Sequence, residues 1–519
     1  MLTLASNPPI YYPRAMISKI YSIVPTGFSG HIIEVEGDSN RGLPAFNIVG
    51  MGSKSITESR DRVRSSLANS NFTFPDRKVT INLAPADLHK DGTYLDLPIA
   101  LSVLTLSNQL LPSDTTDKLF VGELSLDGYL RPIPGIINIA EVTKQHGFKE
   151  LYLPIDNLPQ ASLIKGINLI GVHNLTELFL HLKGQKPIEQ KVVKNTKTEV
   201  INQNLTYLDH IHGQPVAKRA LEIAVAGRHN LLLSGPPGAG KTMLARTAIN
   251  LLPPLSTSEK ITVTKLHSLD SPADIITTSR PFRTPHHTST LPALIGSNKH
   301  PGEISLAHRG VLFLDELPEY PRHLLEALRQ PLEDKEITIS RTNDKVTFPA
   351  DFMLIATMNP CPCGYLGDPS HECTCTVSQI EKYQKKLSGP LLDRIDMYVP
   401  VQKVNNADLL KILPSSTTEH SRASFRIQKA IAHQKLRYQS SEIHNASLSS
   451  HQVATLLTLS SSAKKLLQSA SEKLNLSARS YFKVIKVART IADLAGADII
   501  EEDHVSESLT YRHKANNLV

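Results

Sequence analysis

The sequence predicts an α/β protein that ends in a helical region, and three patterns carry that prediction. In residues 1–183, short β-rich runs such as "HIIEVEG" and "KVTINLAP" alternate with helical patterns such as "SITESRDRVRSSLANS". Over residues 207–402, the apolar runs "NLLLSG", "GVLFLDE" and "DFMLIATMNP" are separated by helical segments, the pattern of an α/β core. Over residues 403–519 the pattern is almost wholly helical, as in "SSAKKLLQSASEKL" and "SYFKVIKVARTIADLAG". Between the first two regions, residues 184–206 ("GQKPIEQKVVKNTKTEVINQNLT") are polar, lysine-rich and aperiodic, as a linker is.

A chain of 519 residues is long enough for two or three domains with their own cores. Hydrophobic residues at 40% and charged residues at 20% are ordinary for a globular protein. No apolar run reaches the ~18–20 residues of a membrane span. The opening "MLTLASNPPIYYPRAM" lacks the charged-then-apolar order of a secretory signal, so a cytoplasmic location is expected. A net charge of +7 suits an anionic polymer as partner but does not single one out.

The most informative stretch is "NLLLSGPPGAGKT". An apolar run leads into Gly235-Pro236-Pro237-Gly238-Ala239-Gly240-Lys241-Thr242, and a helical pattern follows. This is a P-loop in its strand–loop–helix context. Its backbone N–H groups would wrap the phosphates of ATP at a helix N-terminus. Lys241 would reach the β- and γ-phosphates and Thr242 would ligate Mg²⁺. "GVLFLDE" then ends a buried strand in Asp315 and Glu316. Asp315 is the candidate second Mg²⁺ ligand, and Glu316 the residue that polarises the attacking water. "DFMLIATMNP" ends in Asn359, which would orient that water or sense the γ-phosphate, unless it only forms the turn before Pro360. In "SGPLLDRIDMYVPV", Arg394 either pairs locally with Asp393 or Asp396 or acts as an arginine finger on a neighbouring subunit's ATP. The second role requires an oligomer.

All four cysteines fall in "CPCGYLGDPSHECTC", as Cys361-x-Cys363-x9-Cys373-x-Cys375. Four thiolates on a short loop can close a tetrahedral structural Zn²⁺ site, although pairs in such sites are usually spaced more widely. His371 is an alternative ligand. Free thiols or disulfides are the other readings, and a reducing compartment argues against disulfides. Such a zinc would stiffen the loop between Asn359 and Arg394 without doing chemistry.

Together the P-loop, "LFLDE", "ATMNP", "GPLLDRID" and the helical "LSARSYFKVIKVARTIADLAG" resemble a AAA+ ATPase of the magnesium-chelatase-like branch. "RTPHHTST", "GVLFLDELPE", "NPCPCGY" and "SGPLLDRID" resemble the ComM/YifB family over nearly the whole chain. The resemblance implies a hexameric DNA motor that drives branch migration as incoming single strands are integrated during natural transformation. Single-stranded and branched DNA, further copies of the chain and recombination proteins would be its partners. It also implies a lid arginine directed at the γ-phosphate, at Arg479 of "LSAR", with Arg489 on the same helix as second candidate.

Related motors carry a pore hairpin at "EITISRTNDKVTFPA", which reads as two strands around the turn "TND". Arg341 and Lys345 at its tip would then track phosphates, rather than merely cap a solvated turn. Lys299 and His300, in a Gly/Pro-rich loop, are further DNA-contact candidates. Arg283, His286 and His287 in "RPFRTPHHTST" read as structural or interface residues, because adjacent histidines are poor joint metal ligands.

"HKDGTYLDLPIALSVL" resembles the ribosomal S5-type fold of the Lon protease domain. Here Tyr94 stands where that domain has its serine, and Ile137 falls near the position of its lysine. A Ser–Lys dyad is therefore absent and no proteolysis is expected. Asp96 reads as structural. Two other readings stay open: a chelatase-type ATPase that remodels a protein partner, and an unfoldase.

Overall fold

The computed structural model describes residues 17–50, 54–86, 88, 90, 93–189, 198–199, 206–270, 276–298, 300–341, 344–368, 371–404 and 418–512. The chain divides into two compact units, Met1–Glu199 with Lys260–Thr277, and Val200–Glu259 with Thr278–Val519. Residues 260–277, part of the central region by sequence pattern, therefore group with the first unit.

The first unit is built on a seven-stranded mixed sheet. Its strands are β1 (Ser18–Thr26), β2 (Ser29–Asn40), β3 (Ala45–Val49), β4 (Lys78–Ala84), β5 (Lys118–Phe120), β6 (Glu150–Pro154) and β7 (Asn168–Val172), in the order β3-β4-β2-β1-β5-β6-β7. Alternation in β4, "KVTINLA", buries Val79, Ile81 and Leu83 on one face, as the period of two requires. The helix α1 (Asp96–Leu106) is buried along its whole length against β1 and β2. Within the polar stretch 184–206, Thr198–Glu199 pair in parallel with Ile276–Thr277. Most of the rest of that stretch lies outside the described residues.

In the second unit, helix α2 (Pro215–Gly227) precedes β8 (Leu231–Ser234), and helix α3 (Lys241–Leu251) follows it. The remaining sheet strands are β9 (Phe282–Arg283), β10 (Val311–Leu314), β13 (Met353–Met358) and β14 (Met397–Pro400). All pairings are parallel and the order is β9-β10-β13-β8-β14. The strands are continuous apolar runs because both faces are covered; Val311–Leu314 is buried throughout. Short helix α4 (Arg329–Asp334) feeds a hairpin of β11 (Glu336–Arg341) and β12 (Asp344–Pro349), inserted between β10 and β13. The second hairpin strand starts at Asp344, paired with Arg341, so the last residue of "TND" belongs to the strand; the other two lie outside the described residues.

The C-terminal helices include α5 (Thr418–Tyr438) and α6 (Ala478–Ala495). Both pack on α2, and Ala423, Ile427, Ala430, Val487 and Ile491 join the core built on the sheet. Local chemistry sets the ends of α6. The Ser477 side chain caps the Ser480 N–H, and Gly496 takes the left-handed conformation (φ 74°) that closes a helix. The opposite face of α6 holds charges in the interior: Asp493, 0% exposed, receives Arg437 at 2.6 Å and Arg489 at 3.0 Å. A buried carboxylate is tolerated when it is paired and hydrogen-bonded in this way.

Candidate nucleotide site

In a parallel sheet, ligands bind beyond the C-terminal ends of the strands. Here β8, β13 and β10 are adjacent and in register, Ser234 opposite Met358 and Leu314 opposite Ala356. Their ends therefore bring Gly235, Asn359 and Asp315 together.

The loop after β8 needs its glycines for separate reasons. A Cβ on Gly235 would lie 2.0 Å from the Val401 carbonyl oxygen. Gly238 (φ 76°) and Gly240 (φ 84°) are left-handed in open space. No side chain caps the N-terminus of α3, which leaves its backbone donors to the loop interior. The Lys241 ammonium is folded onto this cradle. It donates to the carbonyls of Gly235 (2.5 Å) and Pro236 (3.0 Å) and to Asn359 Oδ1 (3.0 Å). Burial lowers its pKa, against the pull of Asp315 and Glu316.

Thr242 Oγ1 lies 3.4 Å from Asp315 Oδ2, so the two expected Mg²⁺ ligands face each other. Glu316 is exposed and adopts φ 51°, ψ 54°. A left-handed glutamate costs backbone energy and turns the side chain away from the strand direction. What holds this turn was missed from the sequence. Buried Thr357 donates its hydroxyl to Asp315 Oδ1 (2.5 Å) and accepts the Glu316 N–H (3.0 Å). Thr357→Val keeps shape but strands both partners, a cost of about 1–3 kcal/mol. ATP turnover is expected to fall on the order of tenfold with KM nearly unchanged. Steady-state kinetics check this, and an unchanged kcat would remove Thr357 from the site.

Arg394 does not pair with Asp393 or Asp396. Its Nη1 donates to the Pro390 carbonyl at 2.6 Å and its Nη2 lies 2.5 Å from Glu333 Oε2. Asp396 instead accepts the Asn230 N–H. Arg394 precedes β14, and Asn230, which precedes β8, donates to the Arg394 carbonyl at 2.9 Å. The arginine is therefore at the N-terminal end of the sheet. Its own P-loop is at the C-terminal end, a four-residue strand or about 13 Å away. Arg479, in the first turn of α6, reaches the same Glu333 carboxylate at 3.3 Å. Arg489 is instead a core residue, 1% exposed, donating to the carbonyls of Ala497 and Asp498 and paired with Asp493. It cannot serve as a lid sensor without leaving the core.

The four cysteine sulfurs all lie within 4.8 Å of one another. Cys361 is 3.3 Å from Cys363 and 3.6 Å from Cys373, too far for a disulfide. A tetrahedron of 2.3 Å Zn–S bonds has edges of about 3.8 Å, so the spacing fits one ion. The Cys363 N–H points at the Cys375 sulfur and the Leu366 N–H at the Cys361 sulfur. The Tyr365 backbone N–H helps hold the Cys363 thiol down at about 6. His371 is not part of this cluster; its ring stacks on Tyr365. The loop also touches the cradle: a Cβ on Gly364 would lie 2.9 Å from Pro237 Cδ.

Lys345 is exposed on the second hairpin strand, opposite Ser340. The Arg341 side chain and Lys299 lie outside the described residues. His300 is exposed in a tight turn closed by Ser297 N–H to its carbonyl. Arg283 is bidentate to Glu303, and the rings of His286 and His287 lie 4.1 Å apart, tilted by 33°. Among the described residues the four cysteines are the one cluster of three or more His, Cys, Asp or Glu side chains placed to share a metal ion.

In the first unit, Ile137 is fully buried and Tyr94 packs against the same apolar cluster, so neither offers a nucleophile or a base. Asp96, 0% exposed, accepts from Ser59, Arg62 and the Leu124 N–H, a structural anchor for α1.

The parallel sheet, phosphate cradle, paired acids and strand-end asparagine define a P-loop ATPase. The chain matches the family model "magnesium chelatase, subunit ChlI" over residues 207–409. "Subunit ChlI of Mg-chelatase" matches residues 35–157, and "magnesium chelatase, subunit ChlI C-terminal" matches residues 417–512. Competence protein ComM of Haemophilus influenzae is 41% identical over 95% of this chain and 97% of its own length. The uncharacterized protein YifB of Escherichia coli is 39% identical over 96% and 97%. Lon protease 2 of Bacillus subtilis is 29% identical over 31% of this chain and 32% of its own length. The chain belongs to the ComM/YifB family of magnesium-chelatase-like AAA+ proteins. That membership implies ATPase activity with a nucleotide and Mg²⁺.

Proposed function

We propose that the chain is an ATP-driven DNA motor that works as a ring, with branch migration of incoming single strands as its task. The observation that carries the ring is the position of Arg394 at the far end of the sheet from its own P-loop. An arginine there serves a neighbour's ATP, which closes a heterologous ring, a hexamer by family resemblance. The exposed Lys345 on the inserted hairpin and the similarity to a full-length competence protein support DNA as the track.

Within one subunit, Gly235–Thr242 would hold the phosphates, and Thr242 and Asp315 would hold Mg²⁺. Glu316 takes the proton of the attacking water while Asn359 orients it. Bound Mg²⁺ would supply charge neutralisation of the phosphates. The bond broken is γ-phosphorus to bridging oxygen, and water supplies the new P–O bond. Arg394 and Arg479 meet the charge from the neighbouring side, and Arg341, Lys345, Lys299 and His300 line the DNA path.

Residues 1–183 are read as a Lon-like S5-type domain without protease activity, 184–206 as linker, 207–402 as ATPase core, of which 260–277 group with the first unit, and 403–519 as lid. Among the described residues no helix is long and apolar enough to cross a membrane, which accords with a cytoplasmic motor. The cysteine cluster is read as structural zinc. Protein purified without chelator is expected to carry about one Zn per chain. Metal analysis giving less than about 0.2 would end that reading.

The test of function is ATP turnover with and without single-stranded and forked DNA, beside Glu316→Gln. Stimulation with ATP-dependent strand displacement is the expected result. Turnover indifferent to DNA would favour the second reading, a chelatase-type ATPase that remodels a protein partner, which the three family matches keep in view.

A further inference from the structure

We infer that Glu333 is a positioning residue: it holds Arg394 and Arg479 as a pair and restrains both until a neighbouring subunit's triphosphate displaces it. The inference rests on the reading that these arginines act on a neighbour's ATP.

One carboxylate oxygen faces each arginine, Oε2 at 2.5 Å from Arg394 and Oε1 at 3.3 Å from Arg479. Arg394 is only 10% exposed, and its Nε is buried with no hydrogen-bond partner among the described residues. A guanidinium has five donors, so the Glu333 pairing leaves it under-satisfied and able to take a richer acceptor such as a phosphate. Lys483, one turn after Arg479, donates to the Ile395 carbonyl at 2.7 Å. This bond ties the lid helix to the turn carrying Arg394, so the two arginines move together. They open on a cavity of about 290 Å³ lined also by Arg228, Lys335, Lys483 and Lys486 and by the acids Asp351, Asp393 and Asp396, so that cations outnumber carboxylates along it. Such a wall favours an arriving polyanion over a single carboxylate.

Glu333 is also close to the hairpin. It is the penultimate residue of α4; Lys335 then turns left-handed (φ 59°) and β11 starts at Glu336. A load on the hairpin therefore reaches the carboxylate through two residues. Glu333 itself is half exposed and not needed for packing.

The test is DNA-free ATP turnover of full-length Glu333→Gln under conditions where the ring is assembled. Neutral glutamine releases the arginines, so turnover is expected to rise at least threefold, and Glu333→Asp to stay near wild type. The double variant Glu333→Gln/Arg394→Ala should match Arg394→Ala, since the gain must pass through Arg394. Turnover of Glu333→Gln at or below wild type, with Arg394→Ala inactive, would overturn the restraint and leave the finger reading intact. Arg394→Ala turning over like wild type would overturn the finger reading and the inference with it.

Discussion

Glu316→Gln is expected to bind ATP as the wild type does and to hydrolyse it roughly 10²–10⁴-fold more slowly. The reasoning is local. Asp315 is committed to Thr242 and Thr357, so it faces the Mg²⁺ side of the cradle. Glu316 is the neighbouring carboxylate, turned out of the strand direction by its left-handed backbone and left exposed. Glutamine keeps the shape and the N–H bond to Thr357 but cannot accept a proton. Binding should therefore survive while the chemical step fails. Fluorescent-nucleotide binding beside phosphate release separates the two. Hydrolysis at the wild-type rate would mean another group activates the water.

Arg394→Ala is expected to lower turnover on the order of 10³-fold, within the range of arginine fingers. Complementation distinguishes a neighbour's role from a local one. A Lys241→Ala subunit cannot use its own site yet still presents Arg394. An Arg394→Ala subunit has an intact P-loop and lacks only the incoming guanidinium. Mixing two nearly inactive proteins should therefore restore part of the activity in rings where the second kind receives the arginine of the first. If mixtures stay at the sum of their parts while rings still form, Arg394 acts within its own chain or not at all.

The phosphate cradle was legible because its chemistry is contiguous. The backbone of one loop wraps the ligand, so Gly235–Thr242 must appear as a string. Asp315, Glu316 and Asn359 were legible as polar ends of apolar runs, and the parallel register then placed them together. Thr357 was not, since a β-branched residue inside "MLIATM" reads as core until a neighbouring strand puts Asp315 beside it. Its position next to the strand end was the available signal. Glu333 was invisible for the opposite reason, being an ordinary acid on a short surface helix whose partners are far away in sequence. Arg489 shows where the helical pattern runs out. It says that α6 is amphipathic but does not say which arginine faces in. Asp493, four residues on, was the hint that Arg489 had an internal partner. The four thiols were legible as a cluster, but folding was needed to show that His371 stacks on Tyr365 instead of joining them.

The strand order has a consequence for synthesis of the chain. β8 comes first among the five core strands, yet its two neighbours, β13 and β14, are made much later. While the ribosome works through the intervening residues, "LLLS" has nothing to pair with on either edge. An apolar strand with two open edges is an invitation to wrong pairing. A product that stops before Met353 contains the whole phosphate loop and still has no sheet to hold it. Shortened versions ending there should collect as aggregates rather than as small ATP-binding domains, and a usable cut must lie beyond β14.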